Sequence, residues 1–120
     1  MEVPVLKQGP FLIATVQAAL TDEDLVHLRT AMVERVVTSR ALGVIIDVTA
    51  MDVLDSFASR TLREVAQMIR LRGAETVIVG IQPEVAFAMV QLGITLEGVM
   101  TALDLEEGLA YLNQKVKGIA

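Results

Sequence analysis

A serine beside an aspartate is the pair of residues best placed to do chemistry in this sequence. Ser56 follows Asp55 in the segment MDVLDSFASR, where an apolar run ends and an amphipathic helix begins. A serine at a helix start can cap the helix or can accept a phosphoryl group, because the helix N-terminus stabilises an anion. The residue types leave both interpretations open, with Asp55 as the other candidate cap. Phe57, which helical geometry turns away from the core side, and Arg60 add a surface for a protein partner.

Two further hydroxyl groups, those of Ser59 and Thr61, lie close to Ser56 along the chain. They fall inside the first turns of the predicted helix, where the backbone is already committed to helical hydrogen bonds and a kinase has poorer access. Of the three hydroxyl groups, that of Ser56 is therefore the best candidate for an acceptor, and a helix cap stays the alternative. The sequence alone leaves open whether Ser59 is a second phosphorylation site.

The sequence contains no recognisable catalytic motif. It has no Gly-rich phosphate loop, no nucleophile elbow and no cysteine. Its single histidine, His27, falls opposite the apolar stripe of a different predicted helix, which argues against a Ser–His–Asp triad. Asp47, Asp52 and Asp55 gather near the end of the third strand and raise the question of a magnesium site, but solvated turn residues are the favoured interpretation. We expect no enzyme activity, no metal ion and no cofactor.

Composition narrows the class of protein. The chain has 120 residues, which suits one domain over residues 1–120, and 53% of them are apolar, which excludes disorder. A net charge of −5 gives nucleic-acid binding little electrostatic support. The start MEVPVLKQG lacks the layout of a signal peptide, and the most apolar run is interrupted by polar residues and glycine. We expect a soluble cytoplasmic protein that binds neither nucleic acid nor membrane.

Apolar periodicity predicts the element order β-β-α-β-α-β-α-β-α. Strands that alternate with helices form a mostly parallel sheet, and the opening hairpin makes it mixed. The expected fold is therefore α/β, a five-stranded mixed sheet with four helices. The predicted strands are Val3–Leu6, Phe11–Val16, 44–48, 76–80 and a weaker one at Ile94–Val99, and the predicted helices begin near Thr21, Ser56, Pro83 and Asp104.

The segment VAFAMV, residues 85–90, is apolar nearly all round. A short helix without a polar face is either buried in its own domain or covered by another subunit. The sequence does not decide between burial and self-association.

Three motifs together are typical of one known family. They are the Asp55–Ser56 pair at a helix start, GIQP (80–83) after the fourth strand, and ALDLEEGL (102–109) at the entry to the last helix. With their surroundings, VIIDVTAMDVLDSF and GAETVIVGIQPEVAFAMVQLGITLEGVMTALDLEEGLAYL, they resemble STAS domains, the anti-sigma-factor antagonist family. Within that family the likeness is greatest to the RsbS type, the single-domain scaffold of the bacterial stressosome.

The resemblance implies that Ser56 is a phosphoacceptor, with Asp55 as its neighbour, in a non-catalytic scaffold. RsbS-type proteins assemble with RsbR-type STAS proteins and hold an RsbT-type serine kinase until it phosphorylates them. An RsbX-type phosphatase then resets the serine. RsbR-type domains typically carry threonine at the acceptor position and have a sensory extension, so Ser56 and the single domain favour the RsbS type.

Two alternatives remain. The simpler sporulation antagonists of the family usually have a small residue and a glycine after the serine, whereas Phe57 and Ala58 follow here. A free anti-anti-sigma factor is therefore the second choice. A STAS module that binds a nucleotide or another small ligand is the third, because no phosphate-cradling glycines are present.

Overall fold

The computed structural model of the chain describes residues 3–17 and 20–119, with residues 118 and 119 described by their backbone alone. Over these residues the predicted element order and the α/β fold, a mixed five-stranded sheet with four helices, are confirmed. The strands are β1 (Val5–Gln8), β2 (Phe11–Thr15), β3 (Gly43–Asp47), β4 (Glu75–Val79) and β5 (Met100–Ala102). The helices are α1 (Asp22–Ser39), α2 (Ser56–Leu71), α3 (Pro83–Leu92) and α4 (Leu105–Ile119).

The sheet follows the chain in the order β1-β2-β3-β4-β5. Only β1 is antiparallel to its neighbour, because the tight turn at Gly9-Pro10 returns the chain directly, and the other three pairings are parallel. Each parallel pairing requires a helical crossover. The carboxyl ends of β2, β3 and β4 therefore meet at one edge of the sheet, and α2 and α3 begin at that edge.

A hydrophobic core lies on each face of the sheet. Neighbouring residues of β3 belong to different cores, because successive side chains of a strand point to opposite faces of the sheet. Ile46 belongs to the larger core, which α1, α2 and α3 cover. Ile45 belongs to the smaller core, which α4 covers with Leu112. Both isoleucines are fully buried, so β3 is the centre of the molecule.

Two strand predictions are corrected. The strand predicted at Val3–Leu6 lies at Val5–Gln8, and the strand predicted at Ile94–Val99 is wrong, since β5 is Met100–Ala102. Ile94, Leu96 and Val99 are partly buried and pack against the larger core from an irregular segment. Their apolar character is therefore explained by this packing and not by a strand.

Thr21 caps α1 as predicted. Its hydroxyl accepts a hydrogen bond from the Asp24 N–H, and the Asp24 carboxylate accepts one from the Thr21 N–H, both at 3.0 Å. The bond from the Thr21 N–H is the largest of the effects that lower the pKa of Asp24 to about 2. This capping box fixes the start of the helix that leads from β2 to β3.

Candidate functional site

Ser56 lies at the carboxyl edge of the sheet, at the end of the loop 48–55 that joins β3 to α2. Met51 and Leu54 anchor this loop, because their side chains are buried in the larger core. Asp52 and Val53 are exposed between these two anchors. The loop therefore presents one acidic and one apolar side chain, together with the first residue of α2, to the solvent.

Asp55, and not Ser56, caps α2. The Asp55 Oδ1 accepts a hydrogen bond of 2.8 Å from the Ala58 N–H, and the extended backbone of Asp55 is that of an N-cap residue. Ser56 is the first helical residue, it is exposed, and its hydroxyl makes no hydrogen bond with any residue that the structure describes. The interpretation of Ser56 as the helix cap is therefore wrong.

Phe57 is less exposed than the helical angle predicts. Its ring is half-buried and packs against the larger core, so it does not stand free on the outer side of α2. The Arg60 guanidinium lies over this ring, with its central carbon 5.8 Å from the ring centroid. This distance permits a cation–π contact between the two side chains. Phe57 and Arg60 thus form one composite surface next to Ser56.

The two competing hydroxyl groups are inaccessible. Ser59 and Thr61 are each only 1% exposed. The Thr61 hydroxyl donates to the Phe57 carbonyl oxygen at 2.9 Å. The Ser59 hydroxyl is buried and has no partner among the described residues. Both hydroxyl groups are shielded from the solvent, whereas Ser56 is exposed.

The segment between β4 and α3 holds the loop 48–55, which we call the Ser56 loop, in place. The Gln82 side-chain amide, between β4 and α3, donates to the Thr49 carbonyl oxygen at 2.6 Å. Thr49 in turn donates to Asp47 Oδ1 from its N–H at 2.9 Å and from its hydroxyl at 2.6 Å. Gly80 has a φ of +83°, and a Cβ atom there would overlap the Thr49 hydroxyl. We refer to these four residues as the loop bridge.

Sequence reasoning missed the loop bridge. It treated Asp47 as a solvated turn residue and used Gly80 and Gln82 only as part of a family motif. The signal was present, since a glycine directly after a buried strand often marks a close backbone approach. The partner, Thr49, lies 33 positions before Gln82 and could be found only in three dimensions.

Charged side chains surround Ser56. Asp52 and Asp55 are exposed at the end of the loop, and Arg60 lies one helical turn after Ser56. A shallow groove further along α2 is lined by Arg60, Arg63, Glu64, Gln67 and Glu97. The site thus places one free hydroxyl near charges of both signs, with an arginine in reach of a group attached to Ser56.

No metal centre or membrane span is found in the part of the chain that the structure describes. Within residues 3–17 and 20–119, no three His, Cys, Asp or Glu side chains are grouped as metal ligands would be. His27 lies exposed on α1 beside Glu23, 4.0 Å away, and not at the Ser56 site. None of the helices in these ranges has the length and apolar character needed to cross a bilayer.

The family model of the STAS domain matches residues 2–107. Among solved structures, a variant of RsbS from Moorella thermoacetica is 29% identical with a TM-score of 0.83, and the match covers 98% of this chain and 99% of that one. A chain from a structure described as the molecular architecture of the stressosome, a signal integration and transduction hub, is 30% identical with a TM-score of 0.79. That match covers 94% of this chain and 98% of that one.

A curated relative is the RsbT co-antagonist protein RsbRA of Bacillus subtilis. It is 36% identical over 74 residues, which is 62% of this chain and 27% of RsbRA. The co-antagonist RsbRC of the same organism is 29% identical over 98 residues, 82% of this chain and 32% of RsbRC. The chain thus matches less than a third of the length of these curated relatives.

Proposed function

The chain belongs to the STAS domain family, and on this premise we propose that it is an RsbS-type scaffold switched by phosphorylation of Ser56. The observation that carries the proposal is the division of labour at the start of α2. Asp55 caps the helix with a 2.8 Å bond, and the exposed Ser56 hydroxyl has no structural partner among the described residues. The likeness to Moorella RsbS along 98% of this chain supports the RsbS type.

The reaction is a phosphoryl transfer to a serine hydroxyl. The Ser56 Oγ forms a bond to the γ-phosphorus of ATP, the bond from that phosphorus to the bridging oxygen breaks, and ADP leaves. The hydroxyl proton passes to a base of the kinase. The phosphate adds about two negative charges to the surface. It lies at the N-terminus of α2, where free backbone N–H groups stabilise an anion, so the helix tolerates it.

The switch acts through Arg60. Residues four apart on a helix are neighbours, so a phosphate on Ser56 lies within reach of the Arg60 guanidinium. In the unphosphorylated protein this guanidinium lies over the Phe57 ring. An Arg–phosphate ion pair is stronger than an exposed cation–π contact, so the phosphate draws Arg60 away from Phe57. Phosphorylation therefore changes both the charge and the shape of the surface that Asp55, Phe57 and Arg60 present.

The partners follow from the RsbS assignment. The unphosphorylated surface holds an RsbT-like serine kinase, and the phosphorylated surface releases it. RsbR-like STAS proteins co-assemble with the chain in a cytoplasmic stressosome, and an RsbX-like phosphatase resets Ser56. The chain itself is a scaffold and not an enzyme. The relatives named RsbT co-antagonist proteins and the stressosome chain of similar fold support the RsbR-like partners, whereas the kinase and the phosphatase are proposed from the resemblance to the RsbS type.

Phosphate mapping tests the acceptor. The protein is incubated with ATP and an RsbT-type kinase, and phosphopeptides are identified by mass spectrometry. We expect one phosphate on Ser56, absent from Ser56→Ala and retained in the matched variant Ser59→Ala. A kinase active on another RsbS that leaves Ser56 unmodified would contradict the proposal.

Titration calorimetry tests the switch. Ser56→Ala should bind the kinase as the wild type does, because the surface keeps its charge and shape. Ser56→Asp should bind at least tenfold more weakly, and Arg60→Gln should reduce the difference between the two. Equal affinity of Ser56→Ala and Ser56→Asp would refute an electrostatic switch at this position.

A further inference from the structure

Helix α3 is apolar on its outer side as well as on its inner side. Val85 and Met89 point into the larger core and are buried. Phe87 is 66% exposed and Val90 is 80% exposed. We define the outer α3 face by the exposed residues that helical geometry groups on the side away from that core, namely Pro83, Ala86, Phe87 and Val90.

The interpretation of VAFAMV as a segment buried in its own domain is thus only half right. It holds for Val85 and Met89, and it is wrong for Phe87 and Val90. A large aromatic and a β-branched side chain on one short helix leave a contiguous apolar face in water. Such a face marks an interaction site.

Charge indicates what covers this face. The chain carries a net charge of −5, so two copies of it repel each other on average. Glu84 is the only charged residue of α3, and none occurs from Val85 to Leu96. An uncharged apolar face is complementary to itself and allows two acidic copies to approach without like-charge repulsion.

We propose that the outer α3 face binds a second copy of this chain, with the same face on both copies, about a two-fold axis. This assignment deepens the scaffold role and rests on the proposed function for its setting. It names the surface through which copies of the scaffold meet. The outer α3 face does not include Ser56, which lies on a different helix.

The size of α3 sets the strength of the contact. The helix has ten residues and is about 15 Å long. A stable interface buries about 800 Å² on each partner, and one face of so short a helix buries less. The isolated dimer is therefore weak and depends on concentration. Repeated contacts in a larger assembly would strengthen it through avidity.

Sedimentation of the full chain over a concentration series tests the proposal. We expect wild-type protein to pass from monomer to dimer as its concentration rises. Val90→Asp and Val90→Lys should each weaken the dimer at least tenfold, because like charges then meet across the two-fold axis. The mixture of the two variants should regain association. Leu71→Asp is the matched control, since Leu71 is 86% exposed but lies at the end of α2.

Three outcomes would overturn the proposal. They are a wild type that stays monomeric at every concentration, a Val90→Asp variant that associates as the wild type does, and loss of kinase binding in Val90→Asp with self-association unchanged. Phosphorylation of Ser56 is measured in the same samples. A Val90→Asp variant that is monomeric yet phosphorylated supports the α3 interface and the acceptor separately, so failure of one is distinguishable from failure of the other.

Discussion

At the start of α2, two adjacent polar side chains have different tasks. Asp55 holds the Ala58 N–H at 2.8 Å, while the hydroxyl of Ser56 is exposed and unbonded among the described residues. This separation matters for a switch, because a modified residue that also capped the helix would lose its cap on every cycle. In the proposed switch, Asp55 keeps the helix capped whether or not Ser56 carries a phosphate.

Substitution separates the two tasks. Asp55→Ala should lower the free energy of unfolding by about 1 kcal/mol, the usual cost of a lost N-cap. Ser56→Ala should change it by less than about 0.5 kcal/mol, because an exposed side chain without partners is removed. Urea denaturation of both variants measures the difference. A loss from Ser56→Ala as large as that from Asp55→Ala would show that the serine hydroxyl stabilises the helix.

Among the elements, α1 has the most complete N-terminus. Thr21 and Asp24 satisfy each other's backbone N–H groups, and the bond from the Thr21 N–H is the largest of the effects that lower the pKa of Asp24 to about 2. The folded pKa lies below the unfolded value of about 3.9. Its contribution to stability is therefore present above about pH 4 and is lost as the pH falls towards 2.

Acid titration tests this capping box. The Asp24 carboxyl followed by NMR should titrate near pH 2. The difference in stability between the wild type and Asp24→Asn should shrink as the pH is lowered from 4 to 2, because protonated aspartate no longer accepts the Thr21 bond as a carboxylate. A titration of Asp24 near its usual value would contradict the bond.

Elements with a strong pattern were predictable from the sequence, and edge elements were not. The buried β3 and β4 are nearly continuous apolar runs, and the Asp–Ser turn marks the start of α2. The three-residue β5 pairs with β4 through Met100, Thr101 and Ala102, whose exposure gives no alternating pattern. The position of Ser56 was predictable because it is local to one loop and one helix. The half-burial of Phe57 depends on how α2 packs, which one helix cannot reveal.

Across the whole molecule, one sheet separates two cores of unequal size. Ile46 faces the larger core beneath the Ser56 helix, and its neighbour Ile45 faces the smaller core beneath α4. Both side chains are fully buried. Shortening the side chain of Ile45 or of Ile46 should therefore loosen different helices, although the same volume is removed in both.

Ile45→Ala and Ile46→Ala should each cost about 2 to 5 kcal/mol. Hydrogen exchange should show which side is loosened. We expect Ile45→Ala to speed exchange mainly in α4, and Ile46→Ala to speed it mainly in α1 and α2. A uniform increase in both variants would show that the two cores open as one unit.

The loop bridge joins the surface around Ser56 to the outer α3 face. Gln82 directly precedes Pro83, the first residue of α3, and its side chain is bonded to Thr49 in the loop that leads to Ser56. Because of this bond, a displacement at the start of α3 is shared by the loop that leads to Ser56. A second copy that prefers one conformation at the start of α3 would therefore also favour one conformation of that loop. If such a preference exists, phosphate on Ser56 would change self-association by the same factor by which self-association changes the stability of the phosphorylated state, because coupling between two sites is reciprocal. The assembly would then be able to register how many of its serines have been modified.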